Sequence, residues 1–125
     1  MSAKPTVAMT AGELQAFLRS RTLAVVCATT PSGDLVAHVA RYQVEDRGLG
    51  DLVLDLPGPA RDLMSGGPAC ALIDTYPTYD GIKGAMLRGR IETTGGPGAG
   101  RLRVERASGF DFAKAKPAKP VNPAN

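Results

Sequence analysis

The sequence predicts a mainly β protein, a six-stranded antiparallel barrel with short flanking helices. Two observations lead to this prediction. Short apolar or alternating runs recur between clusters of Gly, Pro and Asp, whereas helical spacing occurs only near the start and in one crossover. A parallel sheet would need more helices than these, because each parallel crossover requires a long connection. The 125 residues, 43% hydrophobic and 22% charged, fit one globular domain.

The first element is a short amphipathic helix. Thr10 and Glu13 have the spacing of a capping box, in which each side chain satisfies a free backbone N–H group of the other residue. Leu14, Phe17 and Leu18 follow at helical spacing. We expect the helix to end near residues 19–21 and to pack by one face.

Three strands follow. Residues 23–30 are apolar and β-branched and stop at a turn over 31–34, and a third strand is expected over 51–56. Between them, Leu35–Val44 alternates. One face carries Val36, His38, Ala40, Tyr42 and Val44, and the other carries Leu35, Ala37, Val39, Arg41 and Gln43.

The second half predicts three more strands. A short helix over 60–64 precedes a continuously apolar strand over 69–74, which is expected to be central. A loop rich in Tyr and Gly over 75–84 leads to a strand over 85–92. Gly and Pro dominate 93–100, which predicts a connector, and a sixth strand is expected over 101–107.

The predicted organisation is a flexible leader over 1–9, one domain over 10–112 and a disordered Pro, Ala and Lys tail over 113–125. The net charge of +3 resides in that tail, since Lys114, Lys116 and Lys119 lie there and 12 basic and 12 acidic residues remain elsewhere. The charge therefore gives little support to a nucleic-acid partner. No apolar run approaches the roughly 20 residues of a membrane span, and we expect a cytoplasmic protein.

Two cysteines, Cys27 and Cys70, each lie inside an apolar run. A thiol in such surroundings behaves as a small hydrophobic group. We therefore expect both to be reduced thiols in the core.

The motif search assigns neither a catalytic residue nor a metal site. Glycine-rich dinucleotide loops, Walker loops and Cys-x-x-Cys pairs are absent from the sequence, and a single histidine, His38, excludes a histidine cluster. His38 lies among apolar neighbours on a strand, which favours a packing role over a catalytic one. A barrel with so little chemistry of its own is a candidate to use a cofactor.

Basic residues give the best local indication of a site. Arg41 lies within a strand, Arg61 follows a Pro-Gly-Pro turn, and Lys83 ends a loop that contains Tyr76 and Tyr79. Guanidinium groups bind phosphate by paired hydrogen bonds, so these residues could hold a phosphorylated ligand. The alternative is that Arg41 pairs with an acidic neighbour and Arg61 contacts solvent. The two tyrosines could stack on a flat ring or on a partner chain, or could fasten the loop to the barrel.

Several segments, in this order and spacing, resemble one known family across about residues 13–112. They are residues 23–34, Ala40-Arg41-Tyr42, Ala60-Arg61-Asp62-Leu63 before the strand at 68–74, residues 79–92, and Phe110-Asp111-Phe112. The chain is similar to the pyridoxamine 5'-phosphate oxidase-like family of flavin-binding split β-barrels, above all to its small members that use FMN or the deazaflavin coenzyme F420.

The resemblance implies a homodimeric oxidoreductase with a flavin in a groove between two barrels and a small-molecule substrate. It implies that Arg41 and Arg61 contact the cofactor phosphate, that Lys83 reaches the phosphate or the ring edge, and that His38 or Tyr79 lines the pocket. It implies neither a covalent catalyst nor a nucleic-acid or membrane partner.

Two departures from the family pattern favour an alternative. Pro59 stands where a phosphate-binding Lys is usual, and Gly84 stands where the true oxidases have Gln. The alternative is a redox-inactive split-barrel dimer that binds a small ligand or haem. A nucleic-acid-binding barrel is a third hypothesis, which steep salt dependence of binding would identify.

Overall fold

A closed barrel of six antiparallel strands follows one short helix, which confirms the predicted fold class. The computed structural model describes residues 7–45, 50–57, 63–75, 81–93 and 99–115. The elements are α1 (Ala11–Ser20), β1 (Leu23–Thr29), β2 (Leu35–Val44), β3 (Leu52–Asp55), β4 (Pro68–Thr75), β5 (Lys83–Thr93) and β6 (Ala99–Asp111), followed by a 3-10 helix, Phe112–Ala115. The strand order around the barrel is β1-β2-β3-β6-β5-β4.

The barrel consists of two three-stranded meanders joined by two seams. Strands β1, β2 and β3 pair in sequence order, and so do β4, β5 and β6. One seam pairs β1 with β4, where Val26 lies opposite Ala71. The other pairs β3 with β6, where Leu54 lies opposite Gly100. Every pair is antiparallel, as the lack of crossover helices predicts.

The core lies inside the barrel and beneath α1. The alternation predicted for β2 is confirmed, because Ala40 and Tyr42 are buried whereas Val39 and Arg41 are exposed. Inward side chains of the other strands complete the core. The most deeply buried of them are Leu18, Leu52, Leu54, Ile73, Leu87, Ile91, Leu102 and Val26.

The capping box at the start of α1 forms as predicted. The Glu13 N–H donates to Thr10 Oγ1 at 3.1 Å, and the Thr10 N–H donates to Glu13 Oε1 at 2.9 Å. Lys114 also donates to Glu13 Oε1 at 2.7 Å. The hydrogen bond from Lys114, followed by those from Thr10, lowers the pKa of Glu13 to about 2. The carboxylate thus caps the helix and links it to the 3-10 helix after β6.

Both ends of the predicted domain carry further contacts. The leader expected over 1–9 is described only from Val7, where Val7 and Met9 exchange backbone hydrogen bonds with Asp111 and Gly109 of β6. The tail expected over 113–125 is described only to Ala115. Lys114 lies in this short described part, where it also donates to the Ala8 carbonyl at 2.9 Å.

Tyr42 fastens α1 to the barrel. Its side chain is buried, and its hydroxyl donates to the Leu18 carbonyl at 2.6 Å. Leu18 lies near the end of α1, where carbonyls lack partners within the helix. Burial raises the pKa of Tyr42 to about 12, against a small opposing effect of Arg21.

Removal of this hydroxyl in Tyr42→Phe is expected to destabilise the fold by about 1–2 kcal/mol near neutral pH, because the Leu18 carbonyl loses this donor and keeps only the longer bond of 3.4 Å from the Arg21 N–H. In the wild type, the unfolded tyrosine ionises first, so stability falls as the pH rises from about 10 to about 12. The stability difference should therefore shrink over this range. Urea unfolding of both proteins at several pH values measures it, and a pH-independent difference would contradict the assignment.

The second half of the chain differs in detail from the prediction. The helix expected over 60–64 lies mostly outside the described residues, and Leu63 and Met64 are not helical. Strand β6 begins earlier and ends later than expected and includes Gly100 and Gly109. Strand β4 lies between β1 and β5 but exposes its outer face at Leu72. In the described part of the chain, no helix is long and apolar enough to cross a membrane.

Candidate functional site

Arg41 lies in a cleft on the outside of the barrel. It belongs to the outward set of β2, opposite Leu23 of β1 on one side and Asp55 of β3 on the other. The cleft has a volume of about 540 Å³, within the usual range for ligand pockets. Its lining consists of Thr22, Arg41, Tyr42, Gln43, Val53, Leu54, Asp55 and Ala99.

The guanidinium of Arg41 forms no ion pair within the described part of the chain. Asp55 faces it across the strand pair, yet among the described residues no carboxylate lies within 4.0 Å of it. The neighbouring arginine Arg101 shows the contrast, because it makes a two-pronged ion pair with Glu45 at 2.6 and 2.8 Å. Asp55, one acidic neighbour that the alternative interpretation allows, therefore forms no ion pair with Arg41.

A second cleft of about 220 Å³ adjoins the first at the start of β1. The two share Thr22, and we call the combined depression the outer groove. Arg21, at the end of α1, adds a second cation. The rest of this part is apolar apart from Asp74 and is lined by Leu23, Ala24, Val25, Val39 and Leu72.

The outer groove borders an exposed apolar surface. Val39, Val25, Leu72 and Met86 lie opposite one another in one row across β2, β1, β4 and β5. We call this row the four-strand face. All four are at least 36% exposed, and Val39 is 59% exposed. A continuous apolar patch of this kind marks an interaction surface more often than an isolated exposed residue does.

Lys83 lies apart from Arg41. It begins β5, opposite Thr75 and Asp111, at the barrel end that also holds Leu23 and Arg41. Strands β1 and β4 separate it from β2. Its Nζ lies 3.8 Å from Asp111 Oδ2, so part of its charge is already compensated.

His38 lies on the opposite face of β2 from Arg41. It belongs to the inward set, lies opposite Val26, and is half-buried. The structure therefore does not bring His38 and Arg41 to one surface of the strand. Arg61 and Tyr79 lie outside the described residues, and so does Pro59.

The two cysteines are not in the core, which corrects the sequence prediction. They belong to the outward sets of β1 and β4, where each is half-buried and unbonded. Their apolar sequence context misled the prediction, because the outer face of these strands is itself apolar. Within the barrel, the inward positions beside them are taken by Val26, Ala28 and Ala71.

Sequence reasoning missed three charged groups of the outer groove, namely Arg21, Asp55 and Asp74. Arg21 was interpreted only as a helix end, and the structure directs the chain from there into β1 beside the groove. Asp55 ends β3, and its position opposite Arg41 depends on the β2–β3 register. Gln43 could be anticipated, because it lies two residues after Arg41 on the same strand face.

Comparison with known proteins supports the fold. No family model matches the chain, and no curated protein matches its sequence. Among solved structures, a conserved hypothetical protein from Mycobacterium tuberculosis matches with a TM-score of 0.70 and 18% identity over 98% of both chains.

Two further solved structures have named properties. A candidate pyridoxamine 5'-phosphate oxidase from Corynebacterium glutamicum matches with a TM-score of 0.68 and 12% identity, over 94% of this chain and 100% of that one. An FAD-binding protein from Mycobacterium smegmatis matches with a TM-score of 0.66 and 13% identity, over 82% and 94%. The chain thus has the split-barrel fold of pyridoxamine 5'-phosphate oxidase-like proteins.

Proposed function

We propose that this protein is an oxidoreductase that binds FMN or coenzyme F420 in the outer groove, at the interface of a homodimer, and acts on a small molecule. The observation that carries the proposal is the Arg41 guanidinium, which has no ion pair among the described residues, at one end of a groove whose other end is mostly apolar. The flavin-binding names among proteins of the same fold support a flavin-type cofactor.

The groove suits a ligand with an anionic tail and a flat ring. Guanidinium groups bind phosphate through paired hydrogen bonds, and Arg41 and Arg21 both lie along the groove. Leu23, Val25 and Leu72 provide an apolar surface on which a ring system can lie. Asp55 and Gln43 can bond hydroxyl groups of the chain that links ring and phosphate.

The protein's part in the chemistry is binding, orientation and exclusion of water. A flavin or deazaflavin supplies electron or hydride transfer when bound. Arg41 would hold the phosphate, Leu23 and Val25 would keep water from one face of the ring, and Gln43 would fix its orientation. Arg61, Tyr79 and Lys83 remain candidates for further cofactor contacts, whereas His38, on the inner face of β2, does not line the outer groove.

A second copy of the chain would complete the site. The four-strand face adjoins the groove, because Val25, Val39 and Leu72 belong to both. Two protomers that bury this face against each other would cover the open side of the groove. The cofactor would then lie between the chains, and the substrate would approach along the interface.

Titration of the purified protein with FMN, F420 and FAD tests the cofactor directly. We expect one of the first two to bind with a micromolar or lower dissociation constant. Arg41→Ala should weaken this binding by about 10- to 100-fold, the usual contribution of a charged hydrogen bond. Quenching of cofactor fluorescence gives the constants.

Arg103→Ala is the matched control. Arg103 also lies on an outer strand face, is well exposed and pairs with Glu92 at 3.3 Å, but it does not line the groove. It should bind cofactor as the wild type does. If neither cofactor binds, or if Arg41→Ala and Arg103→Ala behave alike, the proposal is lost.

The redox-inactive alternative has one structural observation in its favour. Gly84 is buried against Phe110, and a Cβ at this position would lie 2.5 Å from the ring. The position that carries Gln in the true oxidases therefore holds no group that could reach a cofactor. A cofactor that binds but is neither reduced nor oxidised in turnover with NADPH or reduced F420 would decide for this alternative.

A further inference from the structure

The two cysteines face each other across the β1–β4 seam. Cys27 and Cys70 are direct partners in the antiparallel register, and both belong to the outward sets of their strands. Directly opposed residues in such a pair have Cα atoms roughly 4.5–5.5 Å apart. A disulfide needs a Cα separation of about 4.4–6.8 Å, so the Cα spacing of an opposed pair is compatible with one.

The neighbouring thiol also affects Cys27. Burial, followed by the charge and hydrogen bonding of Cys70, raises the pKa of Cys27. The strand register independently places the two side chains next to each other on the outer face. In the register, Arg88 of β5 lies opposite Cys70, whereas Ala37 of β2 lies opposite Cys27.

We propose that Cys27 and Cys70 form a reversible redox pair that closes to an intrachain disulfide by exchange with a low-molecular-weight disulfide. One cysteine thiolate attacks the reagent, which gives a mixed disulfide and releases one thiol. The second cysteine thiolate attacks the protein sulfur of that mixed disulfide and releases the other thiol. The protein loses two electrons and two protons, which the two released thiols carry. The disulfide ties the two meanders together at one seam.

The inference does not rest on the proposed cofactor function. In the β1–β4 register, Cys27 and Cys70 form the next outward-facing pair after Val25 and Leu72 of the four-strand face. A protomer bound on that face could therefore slow the reaction of the thiols. We therefore choose an equilibrium measurement. Because burial raises the pKa of Cys27, the exchange is run at mildly alkaline pH, where more thiolate is present.

The experiment equilibrates the full-length protein with glutathione buffers of graded oxidised fraction, both folded and in urea, and measures intact mass after acid quenching. Disulfide formation is seen as the loss of the mass of two hydrogen atoms. In the folded protein it should occur at an oxidised fraction of glutathione at least about tenfold lower than the unfolded chain requires. Cys27→Ser and Cys70→Ser should each stop at one glutathione adduct.

A displaced pair serves as the matched control. The double variant Cys70→Ala and Leu72→Cys keeps two outward cysteines on β1 and β4, but diagonal positions are roughly 7–8 Å apart, beyond disulfide reach. It should gain two glutathiones without forming a disulfide. Three outcomes would each overturn the proposal. The final wild-type product could be a glutathione adduct or a covalent dimer, or the folded and unfolded chains could oxidise at the same oxidised fraction of glutathione. The third is ready disulfide formation by the displaced pair.

Discussion

Val25→Glu is expected to convert the proposed homodimer into monomers, with a dissociation constant raised by at least about 100-fold. Val25 lies within the four-strand face, opposite Val39 and Leu72. Two-fold symmetry would place two new carboxylates in one apolar interface, and each unpaired buried charge costs several kcal/mol. In the protomer Val25 is 37% exposed, so the fold itself should tolerate the change. Sedimentation velocity over a range of concentrations measures the dissociation constant.

Met64→Glu is the control for this result. Met64 is 39% exposed, close to the value for Val25, but it lies before β4 and outside the row of four. It should leave the dimer unchanged. A wild type that sediments as a monomer at micromolar concentration would contradict the proposed interface, and so would a Val25→Glu variant that remains dimeric.

Gly89→Ala is expected to destabilise the fold by about 3 kcal/mol, with a fall in thermal midpoint of roughly 10 °C or more. Gly89 is buried beside the bulge where the β5–β6 register shifts. A Cβ at this position would overlap the backbone carbonyl oxygen of Arg103. A backbone atom cannot turn aside as a flexible side chain can, so the two strands must separate locally. Thermal and urea unfolding followed by circular dichroism measure the loss.

Gly12→Ala is expected to change the stability of the fold in the opposite direction. Gly12 lies in the first turn of α1, and a Cβ there would meet nothing within 4 Å. Alanine in a helix is favoured over glycine by about 0.5–1 kcal/mol, so this variant should be slightly more stable than the wild type. Equal stabilities for Gly89→Ala and Gly12→Ala would show that the bulge accommodates a side chain.

Local patterns predicted those parts of the fold that depend on neighbours in sequence. The capping box and the alternation of Leu35–Val44 were both readable and are both confirmed. The limits of β6 could not be predicted in this way, because Gly100 and Gly109 suggested that the strand ends there. In the barrel, each takes a glycine because a neighbour lies too close for a Cβ: Leu56 at 2.5 Å and Met9 at 2.6 Å. Such closeness arises only once the barrel is closed.

The same distinction between local pattern and long-range contact applies to the residues of the candidate site. Alternation alone placed Arg41 and Gln43 on the same face of β2, and the structure shows that this face is the outer one. Strand register, which no single segment specifies, decides which residues lie opposite each other on neighbouring strands. It places Cys27 opposite Cys70 and Arg41 opposite Asp55. The contribution of Arg21 depends on how α1 packs on the barrel. Sequence therefore identified side chains on one strand but not the neighbours that they meet.

The two seams have a consequence for how quickly the chain folds. Each meander can form from strands that are close in sequence, but the β3–β6 seam pairs Leu52 with Leu102 and the β1–β4 seam pairs Val26 with Ala71. Closing such long loops costs entropy before any contact compensates for it. Folding is therefore expected on the millisecond-to-second scale of barrels rich in non-local contacts. Until the seams close, both meanders present apolar faces to solvent, and a nascent chain is most open to aggregation in that interval.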